Sequence, residues 1–380
     1  MGIKSLNTFL RDTCPHVFED THISEYGYKK VAIDVSLYLF VLKARHSDPD
    51  NPAKERAGWL SDFVKFVETL RRHELHCVFV YDAVGISHPD KVDERQKRRE
   101  ERQKQEERIY KLLEALEHYR STGEVKQLLF EFSEKIGVKK RPSLLGGPSR
   151  AAFDAGAVEY RVQKMRKNMF RITREDFDLT KKLFEILSVP YITAPLEAET
   201  TCSDLCKRGV VDAVLSRDSD VIAYGTPVFL TTLDMRSGAC KRVRYEAVLE
   251  ALNFTDKQFL DLCIMCGCDY NKNIFRVGPK TSYALLKKFG SIERIAEETK
   301  HDISVLKHVR CREIFRNYET VDMPIPHCGE PDWEALAVFF RRYNFFNGPN
   351  QDELLYSYTE RLKSAFCGAK IVVEDESEEE

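Results

Sequence analysis

Two aspartates lie one residue apart in the stretch LSRDSDVIAYG, at the end of the apolar run VVDAVL. In an extended segment, residues i and i+2 point to the same face, so Asp218 and Asp220 would hold their charges side by side. Two such carboxylates repel each other unless a cation, a proton or a basic group lies between them. We therefore expect the fold to bring a positive partner to this position.

Further acids follow other apolar segments. Asp34 ends the run VAID, and Asp82 ends the run VFVYD. Both runs are predicted to be buried strands, and in open α/β sheets the site lies beyond the carboxyl ends of the strands. One aspartate at such a position is more often the cap of the next helix. Three strands that each deliver an acid to the same edge indicate a site.

Glu197 and Glu199 in TAPLEAET, and Asp269 in CIMCGCDYN, extend this acidic set. Pro195 suits a first helical turn, so we expect both glutamates near a helix N-terminus, where negative charge is favoured. Oxygen ligands with few histidines favour Mg²⁺ or Mn²⁺ over zinc. Two such ions about 3.5–4 Å apart promote phosphodiester hydrolysis. The predicted metal ligands are Asp34, Asp82, Glu197, Glu199, Asp218, Asp220 and Asp269.

The segments that would position these residues alternate between two patterns. KKVAIDVSLYLFVLKA reads as a strand that runs into a helix, and GWLSDFVKFVETLRRHEL has amphipathic helical spacing. Further strands are predicted at HCVFVYD, PYITA, DAVLS and TPVFLTT. This alternation predicts an α/β fold with a mainly parallel central sheet flanked by helices.

The composition of the 380 residues narrows the class of protein. Hydrophobic residues make up 43% and charged residues 32%, which is typical of a globular protein with a substantial core. No stretch approaches the roughly 20 apolar residues that span a bilayer, so no membrane partner is expected. Eleven scattered cysteines and no recognisable secretion signal predict an intracellular protein, in the nucleus, or in the cytoplasm if it is viral.

Charge is distributed unevenly along the chain. The segment 139–171 contains nine Lys or Arg against two acids, which suits either a polyanion-binding face or a solvated segment. The last seven residues, EDESEEE, hold six acids and are predicted to be disordered. Without them the chain carries a net positive charge. The Cys-x-x-Cys in CIMCGC lies in an apolar run and is interpreted as helix core, not as a zinc site.

The stretch VGPKTSYALLKKFGSIERI predicts a helical hairpin. Gly278 and Pro279 would begin a helix whose exposed amides could hold a backbone phosphate, and Ser291 would cap the next helix. Three basic residues accompany this turn: Lys280, Lys287 and Lys288. Such a hairpin could grip duplex DNA without reading its sequence. The alternative is an ordinary hairpin with lysines on its surface.

Taken together, these segments resemble the flap endonuclease branch of the XPG family of structure-specific nucleases. The matching segments are MGIKSL, VAIDVSLYLF, VFVYD, APLEAET, SRDSDVIAYG, LCIMCGCDY and VGPKTSYALLKKFGSIERI. The resemblance covers about residues 1–135 and 172–310, and more loosely the chain to about 365. It implies a PIN-like/XPG nuclease fold with a helical arch and a helix–two-turn–helix. It also implies cleavage of 5′ flaps at their junction with duplex DNA, and exonuclease activity at 5′ ends.

The resemblance assigns roles within the acidic set. Asp34, Asp82, Glu197 and Glu199 would surround one metal, and Asp218, Asp220 and Asp269 the other. The cofactors it implies are two Mg²⁺, for which Mn²⁺ could substitute, and a K⁺ at the helix–two-turn–helix.

The resemblance also assigns roles to residues that contact DNA. An arginine and a lysine at the base of the arch would touch the scissile phosphate. Arg95 matches the arginine, while the lysine is matched by His88 in spacing and by Lys91 in residue type. Phe40 would stack on a nucleobase, and Gly2 would lie close to the active site. Duplex binding would fall to Gly278, Lys280, Lys287 and Lys288.

The same comparison divides the chain into regions. These are an N-terminal nuclease region (1–95), a helical arch or cap (96–175) with a basic insertion at about 138–170, an internal nuclease region (176–270), the helix–two-turn–helix (271–310), a C-terminal helical region (311–365) and a disordered acidic tail (366–380). We expect the insertion to enlarge the arch and to contact the flap strand or a partner. The expected partner is branched DNA with a 5′ flap, and the protein is expected to be a monomer.

Two further departures from the family pattern affect these expectations. Arg276 stands where the first glycine of the potassium-binding turn is expected, which argues against that ion. Near the C-terminus, QDELLYSY imitates a clamp-binding peptide, but Ser357 occupies an aromatic position and the run reads as helix. Both features argue against binding to a sliding clamp.

Other functions share part of this pattern. A 5′ exonuclease or a repair-bubble nuclease of the same family would carry the same seven acids. A PIN-like ribonuclease would share the acids at the strand ends but would not be expected to carry the Gly-Pro hairpin. A non-catalytic DNA-junction binder is the alternative outside enzymes, although it would have no use for a repelling carboxylate cluster.

Overall fold

The structure, a computed structural model, describes residues 2–83, 88–137, 153–346 and 348–366. Its centre is a seven-stranded sheet in the order β1-β7-β6-β5-β2-β3-β4. The strands are β1 (Glu19–His22), β2 (Lys30–Asp34), β3 (His76–Tyr81), β4 (Tyr191–Thr193), β5 (Ala213–Leu215), β6 (Val228–Thr231) and β7 (Ala239–Arg244). Strands β2 to β6 pair in parallel, and β7 pairs antiparallel with β6 and β1. The predicted α/β class with a mainly parallel sheet is confirmed.

The helices of the described chain are α1 (Leu6–Thr13), α2 (Val35–His46), α3 (Pro52–Arg72), α4 (Val92–Thr122), α5 (Gln127–Lys135), α6 (Ala155–Lys167), α7 (Arg174–Ile186), α8 (Ala198–Lys207), α9 (Asp220–Ala223), α10 (Tyr245–Leu252), α11 (Asp256–Cys266), α12 (Pro279–Phe289), α13 (Ile292–Glu298), α14 (His308–Arg316), α15 (Trp333–Arg342) and α16 (Gln351–Phe366). Within these residues, no helix has the length and apolar character of a membrane span. The stretch QDELLYSY is helical, as expected, and begins α16.

Alternate residues of the central strands pack into two separate cores, as the two-residue period of a strand requires. Val31 and Ile33 of β2 face the core built with α2, α3, α7, α15 and α16, whereas Ala32 faces the opposite core. In the first core, the rings of Phe79 and Phe184 stack with their centroids 4.1 Å apart. Helices therefore cover both faces of the sheet, and the carboxyl ends of its strands stay free for a site.

No sequence pattern predicts β1 or β7, because both are rich in charged residues. They are held by cross-strand ion pairs, which an apolar periodicity cannot reveal. Glu19 of β1 lies opposite Arg242 of β7 and accepts from it at 2.8 Å between Oε2 and Nη2. The neighbouring Arg244 Nη1 lies 2.8 Å from Glu19 Oε1.

The arch helices α4, α5 and α6 have a hydrophobic core of their own. Its buried members are Ile109, Leu112, Ala115, Leu116, Leu129, Phe132, Val158 and Val162. Helix α6 belongs to the predicted basic insertion and also forms an ion pair with α4 through Glu159 and Arg120. Helix α6 therefore packs with α4 and α5 in one hydrophobic core. Residues 138–152 of the insertion and 367–380 of the predicted tail lie outside the described residues.

Three helices of the structure span boundaries between the predicted regions. Helices α4, α7 and α14 each cross one of them, because Val92, Arg174 and His308 already begin the helices. For α7 the start is set by a capping box between Thr173 and Asp176. The helix expected to start near Pro195 begins at Ala198 instead.

The predicted hairpin is formed by α12 and α13. Ser291 Oγ accepts from Arg294 N at 3.3 Å and caps α13, as expected. At the turn before α12, Arg276 has φ +61°, and the neighbouring Phe275 is 81% exposed. Arg276 therefore adopts the left-handed backbone conformation that glycine favours, which accounts for the glycine expected at this position.

Replacing Arg276 by glycine should stabilise the protein. A residue with a Cβ in the left-handed region costs roughly 1–2 kcal/mol, part of which is offset by the greater freedom of glycine in the unfolded chain. We expect the free energy of unfolding to rise by about 0.5–1 kcal/mol in urea titrations. Arg276→Ala is the matched control, because it removes the same side chain but keeps the strain. Equal stability of the two variants would contradict the explanation.

Candidate active site

The carboxyl ends of four adjacent parallel strands, β5, β2, β3 and β4, converge at one edge of the sheet. Asp34 is the last residue of β2, and Asp82 directly follows β3. Between β2 and β5 the strand order changes direction, which is where α/β sheets place their sites. Six of the seven predicted acids follow these four strands, and Asp269 joins them from the segment after α11.

Helix N-termini hold the acids of β2 and β3 in place. Asp34 caps α2 by accepting from Leu37 N at 3.4 Å. Ala198 N, at the start of α8, donates to Asp82 Oδ1 at 2.9 Å. Ser36 Oγ donates to Asp82 Oδ2 at 2.5 Å. These amides and the helix dipoles stabilise negative charge at the sheet edge.

The aspartate pair after β5 is tightly held, yet one oxygen has no partner. Asp220 N donates to Asp218 Oδ1 at 3.1 Å, and Asp218 N donates to Ser216 Oγ at 3.0 Å. Asp220 Oδ1 is buried without a hydrogen-bond partner among the described residues. Gly2 lies beside this pair with φ +89°, and a Cβ on it would overlap Asp218 Oδ1 and Ser219 Oγ. Only glycine fits so close to the aspartates.

Burial and mutual repulsion disfavour the ionised form of the acids and raise the pKa of several of them. Burial, followed by the charge of Asp218, raises the pKa of Asp220 to about 8. Burial and the neighbouring Asp82 raise the pKa of Asp34 well above its ordinary value. The pKa of Glu199 is raised in the same way, by loss of solvation and then by Asp34 and Asp82. The cluster therefore favours either protons or cations.

Two basic side chains of the arch reach into the acids. Lys91 Nζ lies 2.7 Å from Glu197 Oε1 and 3.6 Å from Asp269 Oδ2. Arg98 Nη2 lies 2.8 Å from Asp269 Oδ1. Burial would lower the pKa of Lys91, but Glu197 and Glu199 outweigh it and raise the pKa above the ordinary lysine value. Lys91 is thus a charged partner of the cluster.

The acids and the first turns of the arch enclose a pocket of about 200 Å³. Among the described side chains, no three His, Cys, Asp or Glu form a preassembled metal cage. The chemistry of the donors nevertheless fits hard divalent cations, because every candidate ligand is a carboxylate and Asp220 Oδ1 accepts no hydrogen bond from any residue that the structure describes. The residues that would hold such ions are the seven predicted acids. Because Lys91 pairs with Glu197 and Asp269, a bound ion would have to displace its ammonium group from them.

Of the three residues predicted at the base of the arch, two line the acidic pocket and His88 does not. Lys91 and Arg95 line the acidic pocket. His88 instead caps the short turn Pro89–Lys91, where its Nδ1 accepts from Asp90 N at 3.2 Å, and its ring packs on Tyr270 at 5.2 Å between centroids. Of the two candidates for the lysine position, Lys91 is therefore the one that meets the acids.

Sequence reasoning missed two residues of the site. Arg98 pairs with Asp269, and its position seven residues after Lys91 on a helix could have revealed it. Tyr270 directly follows Asp269, and its hydroxyl donates to Glu197 Oε2 at 2.8 Å. Both residues fix the orientation of a candidate metal ligand.

The predicted DNA-contacting residues lie outside the acidic pocket, except Gly2. Phe40 is 44% exposed on α2 and faces Phe170. Gly278 occupies the N-cap position of α12, with Pro279 in the first turn. Lys280 also lies at the start of α12, and its Nζ is 3.4 Å from Oδ2 of Asp12 in α1. The other two predicted lysines, Lys287 and Lys288, lie in the last turn of α12.

Comparison with known proteins identifies the family. The XPG N-terminal domain matches residues 1–105, and the XPG I-region matches residues 188–269. A probable RAD2-like endonuclease, 369L, of Invertebrate iridescent virus 6 is 31% identical over 339 residues, which cover 84% of this chain and 80% of that protein. Flap endonuclease 1 of Komagataella phaffii is 30% identical over 367 residues, which cover 91% of this chain and 86% of that protein.

A solved structure shows the same fold. The catalytic core of Rad2 in complex with DNA substrate aligns with a TM-score of 0.64 and 16% identity, over 94% of this chain and all of the Rad2 chain. The sequence matches extend over most of this chain and of both relatives. This protein belongs to the XPG family, together with the RAD2-like endonucleases and flap endonucleases that it matches.

Proposed function

We propose that this protein is a structure-specific 5′ flap endonuclease that also removes nucleotides from 5′ ends. It would hydrolyse phosphodiester bonds at the junction between single-stranded and duplex DNA, in replication, repair or recombination. The observation that carries this proposal is the pocket in which six of the seven predicted acids face the basic first turns of the arch. Relatives named flap endonuclease 1 and RAD2-like endonuclease support it.

The metals that the carboxylates would hold are two Mg²⁺, or Mn²⁺ in their place, which activate water and offset charge on the phosphate. The chain itself would position the substrate. Lys91 and Arg98, which now pair with acids, and Arg95 beside them would contact the scissile phosphate. Tyr270 would keep Glu197 oriented through its hydrogen bond. Gly2 would let the N-terminal backbone lie directly against Asp218.

The proposed substrate is branched DNA. The Rad2 core was solved with a DNA substrate, and the fold of this chain aligns with it. The first turn of α12 offers free amides after Gly278, and with the lysines of that helix it would hold the duplex by its phosphates. Arg276 places a cation at the adjacent turn, which disfavours a K⁺ there. Contacts with phosphates should make binding weaken steeply with salt.

Other predictions about partners rest on the sequence alone. We propose a monomer in the nucleus, or in the cytoplasm if the protein is viral. The C-terminal stretch that imitates a clamp-binding peptide lies in α16, which argues against binding to a sliding clamp.

The proposal predicts Mg²⁺-dependent cleavage of an end-labelled double-flap DNA at the junction or one nucleotide inside it. Asp218→Ala should abolish this cleavage while the protein still binds the DNA, because the change removes a candidate ligand from the pocket. Denaturing gels of the products and fluorescence anisotropy measure the two properties. Asp178→Ala, at an exposed position of α7, is the control.

Three other outcomes would point to another function. Mononucleotide release from a nicked 5′ end without junction cutting would make the protein a 5′ exonuclease. Preferential cleavage of a matched RNA flap would favour a ribonuclease. Tight binding to the junction without cleavage in Mg²⁺ or Mn²⁺ would contradict a catalytic role.

A further inference from the structure

The segment 317–332 connects α14 to α15 and contains neither helix nor strand. We call this segment the strap. Three of its residues are buried, Ile325, Cys328 and Pro331, and the others are exposed or half-buried. The strap is therefore anchored to the body of the protein at a few points, and one of these points is a cysteine.

Hydrogen bonds fix the strap to the central sheet. Lys30 Nζ donates to Ile325 O at 2.6 Å, and Cys328 N donates to His76 Nδ1 at 3.2 Å. Lys30 is the first residue of β2 and His76 is the first residue of β3. The strap thus crosses the amino ends of two central strands, at the opposite end of the sheet from the acids.

The strap brings a second thiol to Cys77 of β3. The Sγ atoms of Cys77 and Cys328 lie 4.0 Å apart, and Cys328 Sγ donates to Cys77 O at 3.4 Å. Both side chains belong to the core on the α2 and α3 side of the sheet. A disulfide requires the two sulfurs to approach by about 2 Å. The strap can supply this movement because it contains no regular structure.

The neighbouring histidines do not join the thiols in one site. His76 and Cys77 are consecutive residues of β3, so their side chains point to opposite faces of the sheet. The ring of His76 packs on His327 with the centroids 4.4 Å apart, whereas the sulfur of Cys77 meets Cys328. The two sulfurs therefore face each other without a histidine between them, which favours oxidation of the pair over shared metal ligation.

We propose that Cys77 and Cys328 form a disulfide when the protein meets hydrogen peroxide, and that this bond staples the strap to the sheet. In a reducing compartment both side chains stay thiols. The pair is thus a modification site at the far end of the sheet from the acidic pocket. It acts on the attachment of the C-terminal helices and takes no part in phosphodiester hydrolysis.

Cys328 is the thiol that reacts first. Its neighbours His327 and Gly329 are exposed, so a small oxidant can reach it after a slight opening of the strap. The hydrogen bond with Cys77, and after it the positive charge of Arg71, lower the pKa of Cys328 although burial opposes them. The thiolate is the nucleophile in such reactions.

The reaction has two balanced steps. In the first, the Cys328 sulfur attacks one peroxide oxygen, the O–O bond breaks, and a sulfenic acid and water result. In the second, the Cys77 sulfur attacks the Cys328 sulfur and the S–O bond breaks. The leaving hydroxyl takes the Cys77 proton and departs as a second water. Two thiols thus lose two electrons in total, and one peroxide is reduced to two waters.

The staple should raise the melting temperature of the full-length protein. Joining positions 77 and 328 closes a long loop and restricts the unfolded chain, so we expect Tm to rise by roughly 3–8 °C after treatment with peroxide. Dithiothreitol should reverse the rise. After alkylation of the remaining thiols, mass spectrometry should find a peptide pair linked through Cys77 and Cys328, two hydrogens lighter than the reduced peptides.

Single-cysteine variants identify the bond that causes the shift. Cys77→Ala and Cys328→Ala should each lose the peroxide-induced rise in Tm. The matched control is Cys240→Ala, because Cys240 is a thiol of the same core and is only 4% exposed. This variant should keep the rise. Melts in dithiothreitol show whether each variant folds, and the two cysteine variants on different elements guard against a folding defect in one of them.

Three outcomes would overturn the proposal. One is full alkylation of Cys77 and Cys328 after peroxide treatment, and another is a linkage of either residue to a different cysteine. The third is a Cys77–Cys328 disulfide that leaves Tm unchanged or lowers it, because such a bond would not staple the strap. None of these readouts involves DNA cleavage, so the result is independent of the proposed function.

Discussion

Asp220→Asn should abolish cleavage and, without divalent cations, make the fold more stable. Activity should fall by at least about 10³-fold, because Asp220 would help to hold a divalent metal, and the metal's stabilisation of the transition state is worth several kcal/mol. The gain in stability has another cause. Asp220 is buried beside Asp218, and this environment raises its pKa to about 8. Asparagine keeps the shape and removes the charge.

The pH dependence has a defined sign. In the unfolded chain Asp220 ionises near its ordinary pKa of 3.8, whereas in the fold it holds its proton to about pH 8. Between these values the folded state binds more protons, so the free energy of unfolding of the metal-free protein falls as the pH rises. Asparagine does not ionise, so the free energy of unfolding of Asp220→Asn does not fall with pH for this reason. At pH 8 the variant should be more stable by at least about 1.4 kcal/mol, the equivalent of one pKa unit.

Urea titrations in EDTA at pH 5, 7 and 8 measure this effect. Asp178→Asn removes the same charge from an exposed position of α7 and should leave the free energy of unfolding nearly unchanged. Saturating Mg²⁺ should reduce or reverse the advantage of Asp220→Asn, because only the wild type keeps the full set of carboxylates. A variant less stable than the wild type at pH 8 in EDTA would contradict this account.

Lys91→Met should slow cleavage and strengthen metal binding at the same time. Lys91 Nζ lies 2.7 Å from Glu197 Oε1 and 3.6 Å from Asp269 Oδ2, so it competes with a cation for both acids. Its removal should lower the Mg²⁺ concentration that gives half-maximal activity. Loss of its charge near the phosphate should reduce kcat by about 10²–10³-fold, as for other groups that stabilise a developing anion.

Mg²⁺ titrations of single-turnover cleavage separate the two effects. Lys97→Met, at an exposed position of the same helix, should change neither quantity. A rise in the Mg²⁺ requirement of Lys91→Met would show that the lysine helps to assemble the metal site. An unchanged kcat would place the phosphate contact on Arg95 or Arg98 instead.

The position of the acids was predictable because it follows from local rules. An apolar run that ends in an aspartate marks the carboxyl end of a buried strand, and parallel strands bring such ends together. Asp34 and Asp82 are found by this rule without knowledge of the tertiary structure. The Glu-x-Glu and Asp-x-Asp spacings add residues at the start of the following helices.

Features that depend on distant pairing were not predictable. Strands β1 and β7 carry charged residues, and their pairing is explained only by the ion pair between Glu19 and Arg242. The pairing of Phe40 with Phe170 joins positions 130 residues apart, and no periodicity relates them. Arg276 could be recognised as unusual, but its left-handed backbone had to be observed.

The separate core of the arch has a consequence for how such a protein can diverge. Because α4, α5 and α6 bury their apolar residues against one another, the core of the arch is separate from the two cores that cover the sheet. Lengthening the segment between α5 and α6 then leaves the strand ends that position the acids undisturbed. The far part of the arch can therefore be altered while the strand ends and the first turns of α4, whose Lys91, Arg95 and Arg98 line the acidic pocket, are inherited unchanged.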